Sequence, residues 1–131
     1  MGLLQIAAAA GALAQAGFAY KEIAGWGRPF VDQAAKAWIE PADPHVDDHI
    51  KWAKPLAFNI GVYNLVMATG LAWIVFADED LVRPLALFFA FWLLGAALAA
   101  AYTKVHLAFM AQGFLGLFLL FAALVHTPAA R

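Results

Sequence analysis

Apolar runs divide this chain before any other feature does. They extend over about residues 3–20, 55–76, 84–102 and 105–126, and none contains Asp, Glu, Lys or Arg. Each approaches the roughly twenty residues that a helix needs to cross ~30 Å of hydrocarbon. Periodicity does not separate a buried soluble helix from a spanning one, but length and missing charge do. The predicted fold class is an all-α membrane protein: one domain over residues 1–131, built as a four-transmembrane-helix bundle. The first run carries a cleavage-like Ala14-Gln15-Ala16 pattern, yet no Lys or Arg precedes it. A secretory signal normally has that basic start, so a retained helix is expected.

The connections differ in kind. Only Thr103 and Lys104 separate the third and fourth runs, which predicts a tight antiparallel hairpin. The second connection holds Asp78, Glu79, Asp80 and Arg83. The first, residues 21–54, is long enough for structure of its own. Within it, Phe30, Ala34, Ala37 and Trp38 share one helical face between Pro29 and Glu40, with Asp32, Gln33, Lys36 and Glu40 elsewhere. That pattern predicts an amphipathic helix lying in the headgroup region, or equally one capping the mouth of the bundle. Trp26, Trp38 and Trp52 fall in the same loop, as an interfacial aromatic belt requires.

Composition sharpens the picture. Of 131 residues, 65% are hydrophobic and 13% charged, too little polar surface to coat a soluble globule, which argues against a cytosolic enzyme. The net charge of −1 with no basic block leaves nucleic acid an unlikely partner, and the absence of Cys removes thiolate catalysis and Cys-ligated metals. Six of the eight Lys and Arg (Lys21, Arg28, Lys36, Lys51, Lys54 and Lys104) lie on the side of the long loop, against Arg83 and Arg131 on the other. The positive-inside rule then places the long loop in the cytoplasm and both termini outside the cell (inner) membrane.

With that topology, most strong hydrogen-bonding side chains fall in the cytoplasmic half. Glu22 stands at the foot of the first helix, Asn59, Tyr63 and Asn64 lie low in the second, Tyr102 ends the third, and His106 and Gln112 open the fourth. These seven are the candidate ligand-binding residues. The outer half is mostly Leu, Ala, Phe, Val and Ile, with Gln5 and Thr69 as exceptions. An unpartnered amide in hydrocarbon costs several kcal/mol, so these groups should face one another, water or a ligand. Asn59 and Tyr63, four apart, share a face that Asn64 does not. Whether they form a pocket or staple helices together stays open at this point. Small residues at Ala7–Gly11, Gly17, Gly61, Gly70, Gly113 and Gly116, and the Gly95-x-x-x-Ala99 motif, suit close helix contacts within or between chains.

One loop constellation suggests metal. His45 and His49 are a helical turn apart, with Asp43, Asp47 and Asp48 beside them. Asp43 followed by Pro44 reads better as a helix N-cap with a first-turn proline, and the acids suit a positive helix N-terminus. No metal is expected. His106 and His126 sit at opposite ends of one helix and cannot share a haem iron; no cofactor is assigned.

The second run reads Asn59-Ile60-Gly61-Val62-Tyr63-Asn64-Leu65-Val66-Met67-Ala68-Thr69-Gly70-Leu71. It resembles the Asn-Gln-Gly-x-Tyr-Asn-Gly-x-x-x-Ala-Gly-Leu segment of small bacterial membrane proteins grouped as domain of unknown function 1304. Tyr20-Lys21-Glu22 is similar to that family's Tyr-x-Glu at the end of its first helix, and Gln112-Gly113 to its Gln-Gly early in the fourth. The resemblance implies four helices and supplies no reaction. The family's Glu-His pair falls on Ala14 and Gln15, its Gln and second Gly on Ile60 and Leu65, and its later Pro on Leu115, while Asp43–His49 looks like an insertion. An activity resting on those groups would be lost or changed here.

Three function classes follow. The first is a non-catalytic membrane component, as a homo-oligomer or an accessory subunit beside other membrane proteins. The second is an enzyme or binding protein for a small apolar molecule such as a quinone, terpenoid or lipid, with Glu22 as acid/base and Asn59, Tyr63, Asn64 and Gln112 as polar anchors. The third is a small transporter, disfavoured because the first helix offers only Gln15 at depth where proton coupling needs an ionisable group.

Overall fold

The computed structural model describes residues 2–26, 44–103 and 105–127. Among them the chain is all helical, with no strand. Helix α1 (Leu3–Tyr20) continues into a π-helical segment (Lys21–Gly25); α2 (Val46–Phe76), α3 (Glu79–Tyr102) and α4 (His106–Val125) follow. Four helical segments, Leu3–Gly25, Asp47–Phe76, Glu79–Tyr102 and His106–Val125, are long and apolar enough to cross a membrane. The amphipathic helix expected over residues 29–40, and Asp43, lie outside the described residues.

Two helices begin earlier than the apolar pattern indicates. Helix α2 starts at Val46 rather than near Pro55, and α3 at Glu79 rather than Pro84, so each takes its proline inside. The cause is the acidic first turn. Asp47 and Asp48 open α2 while Glu79 and Asp80 open α3, where carboxylates complement the positive end of the helix dipole. The His45 carbonyl accepts from the amides of Asp48 and His49, both at 3.0 Å, and the Asp78 carbonyl from Leu81 at 2.8 Å. Apolar onset therefore lags the start of the helix, by about two and a half turns in α2 and about one and a half in α3.

The chain divides into two compact units, Gln15–Val66 on the one hand and Met1–Ala14 with Met67–Arg131 on the other. In the larger unit the buried positions follow helical spacing: Leu4, Ala7, Ala8 and Gly11 on α1, Val82, Ala86, Ala90, Leu93 and Ala97 on α3, Gly116, Leu119, Ala122 and Ala123 on α4. The core mixes alanines with larger aliphatic residues: Ala7, Ala8, Ala86, Ala90, Ala122 and Ala123 pack with Leu4, Val82, Leu93 and Leu119 and with Met67, Leu71 and Ile74 of α2. Other large side chains face outward: Phe91 is 64% exposed, Leu98 70% and Phe114 69%. Phe88 stacks edge-on against Phe89, 5.2 Å between ring centroids, and not into the core.

Glycines mark where backbones approach. A side chain at Gly116 would stand 2.9 Å from Leu94 Cγ and 3.2 Å from Cβ of the core residue Leu93, and one at Gly70 would overlap the Phe89 ring. Gly95 has nothing within 4 Å of where its side chain would be, and Ala99 is exposed. Among the described residues nothing packs closely on the Gly95 position, so the Gly95-x-x-x-Ala99 motif is not used there as a close helix contact. At the end of α3 the Thr103 hydroxyl donates back to the Ala99 carbonyl at 3.0 Å, and the Val105 amide bonds the Ala100 carbonyl at 2.8 Å, which turns the chain into α4.

These contacts separate two similar substitutions. Gly116→Ala forces a methyl against Leu93 and Leu94 and should lower stability by about 1–3 kcal/mol. Gly95→Ala meets open space and gains helix propensity, so it should hold or raise stability by up to ~1 kcal/mol. Thermal unfolding in detergent, followed by tryptophan fluorescence, checks the contrast.

Candidate functional site

In the smaller unit two polar side chains, Glu22 and Asn64, meet where α1 ends. There the helix widens into the π-helical segment Lys21–Gly25, a geometry that is rare and recurrent at functional sites. Glu22 lies within it, half-buried. Helix α2 reaches this segment through Gly61. A side chain there would stand 2.6 Å from Ile23 Cγ1, 3.0 Å from Glu22 Cβ and 3.3 Å from the Ala19 carbonyl oxygen, so only glycine lets the two backbones come this close. One turn along α2, Asn64 Nδ2 donates to Glu22 Oε2 at 2.6 Å. Nearby, Trp26 Nε1 donates to the Ile50 carbonyl at 3.1 Å and ties the end of the π-helical segment to the start of α2.

The family model described as "Protein of unknown function (DUF1304)" matches residues 9–124, nearly the whole chain. The chain belongs to the DUF1304 family. No curated protein and no solved structure matches it.

The geometry gives that membership physical content. In this DUF1304 protein the Tyr20-x-Glu22 motif and the Asn59–Leu71 segment are joined by a hydrogen bond from Asn64 to Glu22. Of the segment's other polar residues, Asn59 and Tyr63 do not meet that pair. Asn59 and Tyr63 are exposed, on the side of α2 opposite the buried Ala57 and Gly61. Tyr102 and His106, both exposed, and the half-buried Gln112 belong to the larger unit. His45 and His49 are exposed in and beside the first turn of α2. Among the described residues no group of three or more His, Cys, Asp or Glu side chains is placed to hold a metal ion.

Two features escaped sequence reasoning. Gln15 is 1% exposed, and its Oε1 is buried without a hydrogen-bond partner among the described residues. It stands one turn before the buried Ala19 on α1. In the larger unit, His126 Nε2 lies 2.9 Å from Glu79 Oε1, close enough for an ion pair but outside hydrogen-bond geometry. The pair flanks a cavity of about 370 Å³ that Leu4, Gln5 and Ala122 also line. Separation of 47 positions in the sequence hid this pair; its only trace was a polar residue at the end of each of two apolar runs.

The Asn64–Glu22 contact should behave as a measurable couple. Asn64→Ala and Glu22→Ala should each destabilise the protein, and the double variant should lose less than their sum. A double-mutant cycle of unfolding free energies in detergent should return a coupling of about 0.6 kcal/mol, and at most about 1.7 kcal/mol, as such cycles give for hydrogen bonds between apolar helices. Glu22→Gln keeps an acceptor for Asn64 and should retain most of that coupling.

Proposed function

We propose that the chain is a small multi-pass integral membrane protein of non-catalytic type, a homo-oligomer or an accessory subunit of a larger membrane assembly. The observation that carries this reading is the number of large apolar side chains left on the outside. Phe, Leu and Trp side chains are exposed along the helices, while alanine and glycine share the helix contacts with Leu4, Leu71, Leu93 and Leu119. In water the opposite arrangement wins, because each exposed large apolar side chain forfeits roughly 1.5–3 kcal/mol. In lipid that penalty disappears, and close backbone approach through small residues is what holds helices together. In this reading the chain sits in the cell (inner) membrane, with Lys21, Lys51 and Lys54 on the cytoplasmic side and the termini opposite.

The Glu22–Asn64 pair favours a second reading, a binding protein or enzyme for an apolar molecule such as a quinone, terpenoid or lipid. A half-buried carboxylate beside an amide, on a widened helix turn, is a polar anchor of the kind small-molecule sites use. Lipid extraction of purified protein followed by mass spectrometry separates the two readings. A defined compound retained by the native chain and lost with Glu22→Gln favours binding, and its absence favours the non-catalytic component.

Because the chain has no cysteine, single introduced cysteines report location without background. The protein should stay in the pellet after alkaline carbonate washing of membranes. Asp80→Cys should react with an impermeant maleimide applied to intact spheroplasts, and Asp47→Cys only after lysis. Release by carbonate would overturn the membrane reading; the reverse labelling pattern would overturn the orientation alone.

A further inference from the structure

The His126–Glu79 pair of the larger unit is a polar contact that neither functional reading uses. His126 follows the last residue of α4, and Glu79 opens α3. Nε2 and Oε1 stand 2.9 Å apart, yet Nε2 is buried and makes no hydrogen bond to a described residue. An imidazolium held by a carboxylate turns its N–H onto the oxygen, because a charge-assisted bond is short and close to straight. Here the distance is that of such a bond and the direction is not.

A metal ion held by both atoms accounts for the two observations together. With bonds of about 2.05 Å to nitrogen and oxygen, a right angle at the ion sets the two atoms about 2.9 Å apart, whereas a tetrahedral angle sets them about 3.3 Å apart. At the right angle the nitrogen lone pair points ~45° away from the oxygen, toward the ion. Mixed nitrogen and oxygen donors at right angles are the preference of Ni²⁺ and Cu²⁺, and tetrahedral ones that of Zn²⁺.

The surroundings suit a cation. Asp78 and Asp80 flank Glu79 and offset the positive end of α3, while His126 caps the end of α4 at which helix carbonyls carry partial negative charge. The pair lines the cavity of about 370 Å³ together with Gln5, whose Oε1 accepts the Gly2 amide at 2.9 Å. A water takes up ~30 Å³, so an ion fits there with several waters. Among the described residues no third His, Cys, Asp or Glu joins the pair. Water and the amide oxygen of Gln5 are left to complete the shell.

We propose that Glu79 Oε1 and His126 Nε2 bind a divalent transition ion of right-angled preference, Ni²⁺ or Cu²⁺, which clasps the start of α3 to the end of α4. The site belongs to the other unit from the Glu22–Asn64 pair and depends on neither functional reading.

The chain has four histidines, and His45 and His49, one helical turn apart, are a competing pair for the same ions. The variant His45→Gln/His49→Gln/His106→Gln changes only exposed residues and leaves His126 as the sole histidine. Purified without a polyhistidine tag, it should unfold at a higher temperature in micromolar NiCl₂ and not in MgCl₂. Adding Glu79→Gln or His126→Gln should raise the half-maximal Ni²⁺ concentration at least ~tenfold. Loaded with Cu²⁺, the variant should give an electron paramagnetic resonance spectrum split by one imidazole nitrogen. No stabilisation by Ni²⁺ in this variant, stabilisation that survives Glu79→Gln unchanged, or a Cu²⁺ spectrum without nitrogen coupling would each overturn the proposal. Where Glu79→Gln or His126→Gln fails to fold, the Cu²⁺ spectrum of the parent variant decides alone.

Discussion

Close approach of helix backbones is the interaction on which everything else in this chain depends. Apolar side chains gain nothing by leaving lipid for a protein interior, so a bundle of spans is held by dispersion contacts and by the few hydrogen bonds it can make. Both require short distances. Ala86, Ala90, Ala97, Ala122 and Ala123 are buried for that reason, and Gly116 allows the Leu93–Leu94 stretch of α3 to pack against α4. Gly61 does the same for α2 at the end of α1. Many bulky residues, among them Phe91, Leu98 and Phe114, are left on the outside.

The same constraint gives polar residues a weight out of proportion to their number. Where backbones touch, a short side chain such as Asn64 reaches across the gap, and its bond to Glu22 follows from the Gly61 contact one turn away. A larger residue at Gly61 would push the amide out of range even with Glu22 and Asn64 unchanged. The glycine, the amide and the carboxylate therefore act as one device, drawn from two stretches of sequence through which the chain resembles its family. That connection explains why those stretches belong together without requiring that either perform chemistry.

Much of this was legible in the sequence. The number of helices followed from the length of the apolar runs, and the tight turn between α3 and α4 from the two residues available. So did the sharing of one face by Asn59 and Tyr63, with Asn64 on another, since a regular helix turns 100° per residue. Helix starts were not legible, because the acidic first turns of α2 and α3 look like loop to a reading keyed to hydrophobicity. Nor was the pairing of Glu22. The π-helical segment departs from the 100° step, so the direction of a side chain in it cannot be extrapolated from α1. The His126–Glu79 contact was hidden for a different reason: it joins two helix ends distant in sequence, and no period links them.

What the polar groups share is division of labour by face. On α1, the resemblance places a Glu-His pair where this chain has Ala14 and Gln15. A neutral amide remains there, buried, with an unpartnered oxygen. Exchanging an ionisable pair for an amide lowers the cost of burial and removes the means of carrying a proton at that depth. The carboxylate that persists, Glu22, is held by Asn64 at the end of the span instead of deep within it.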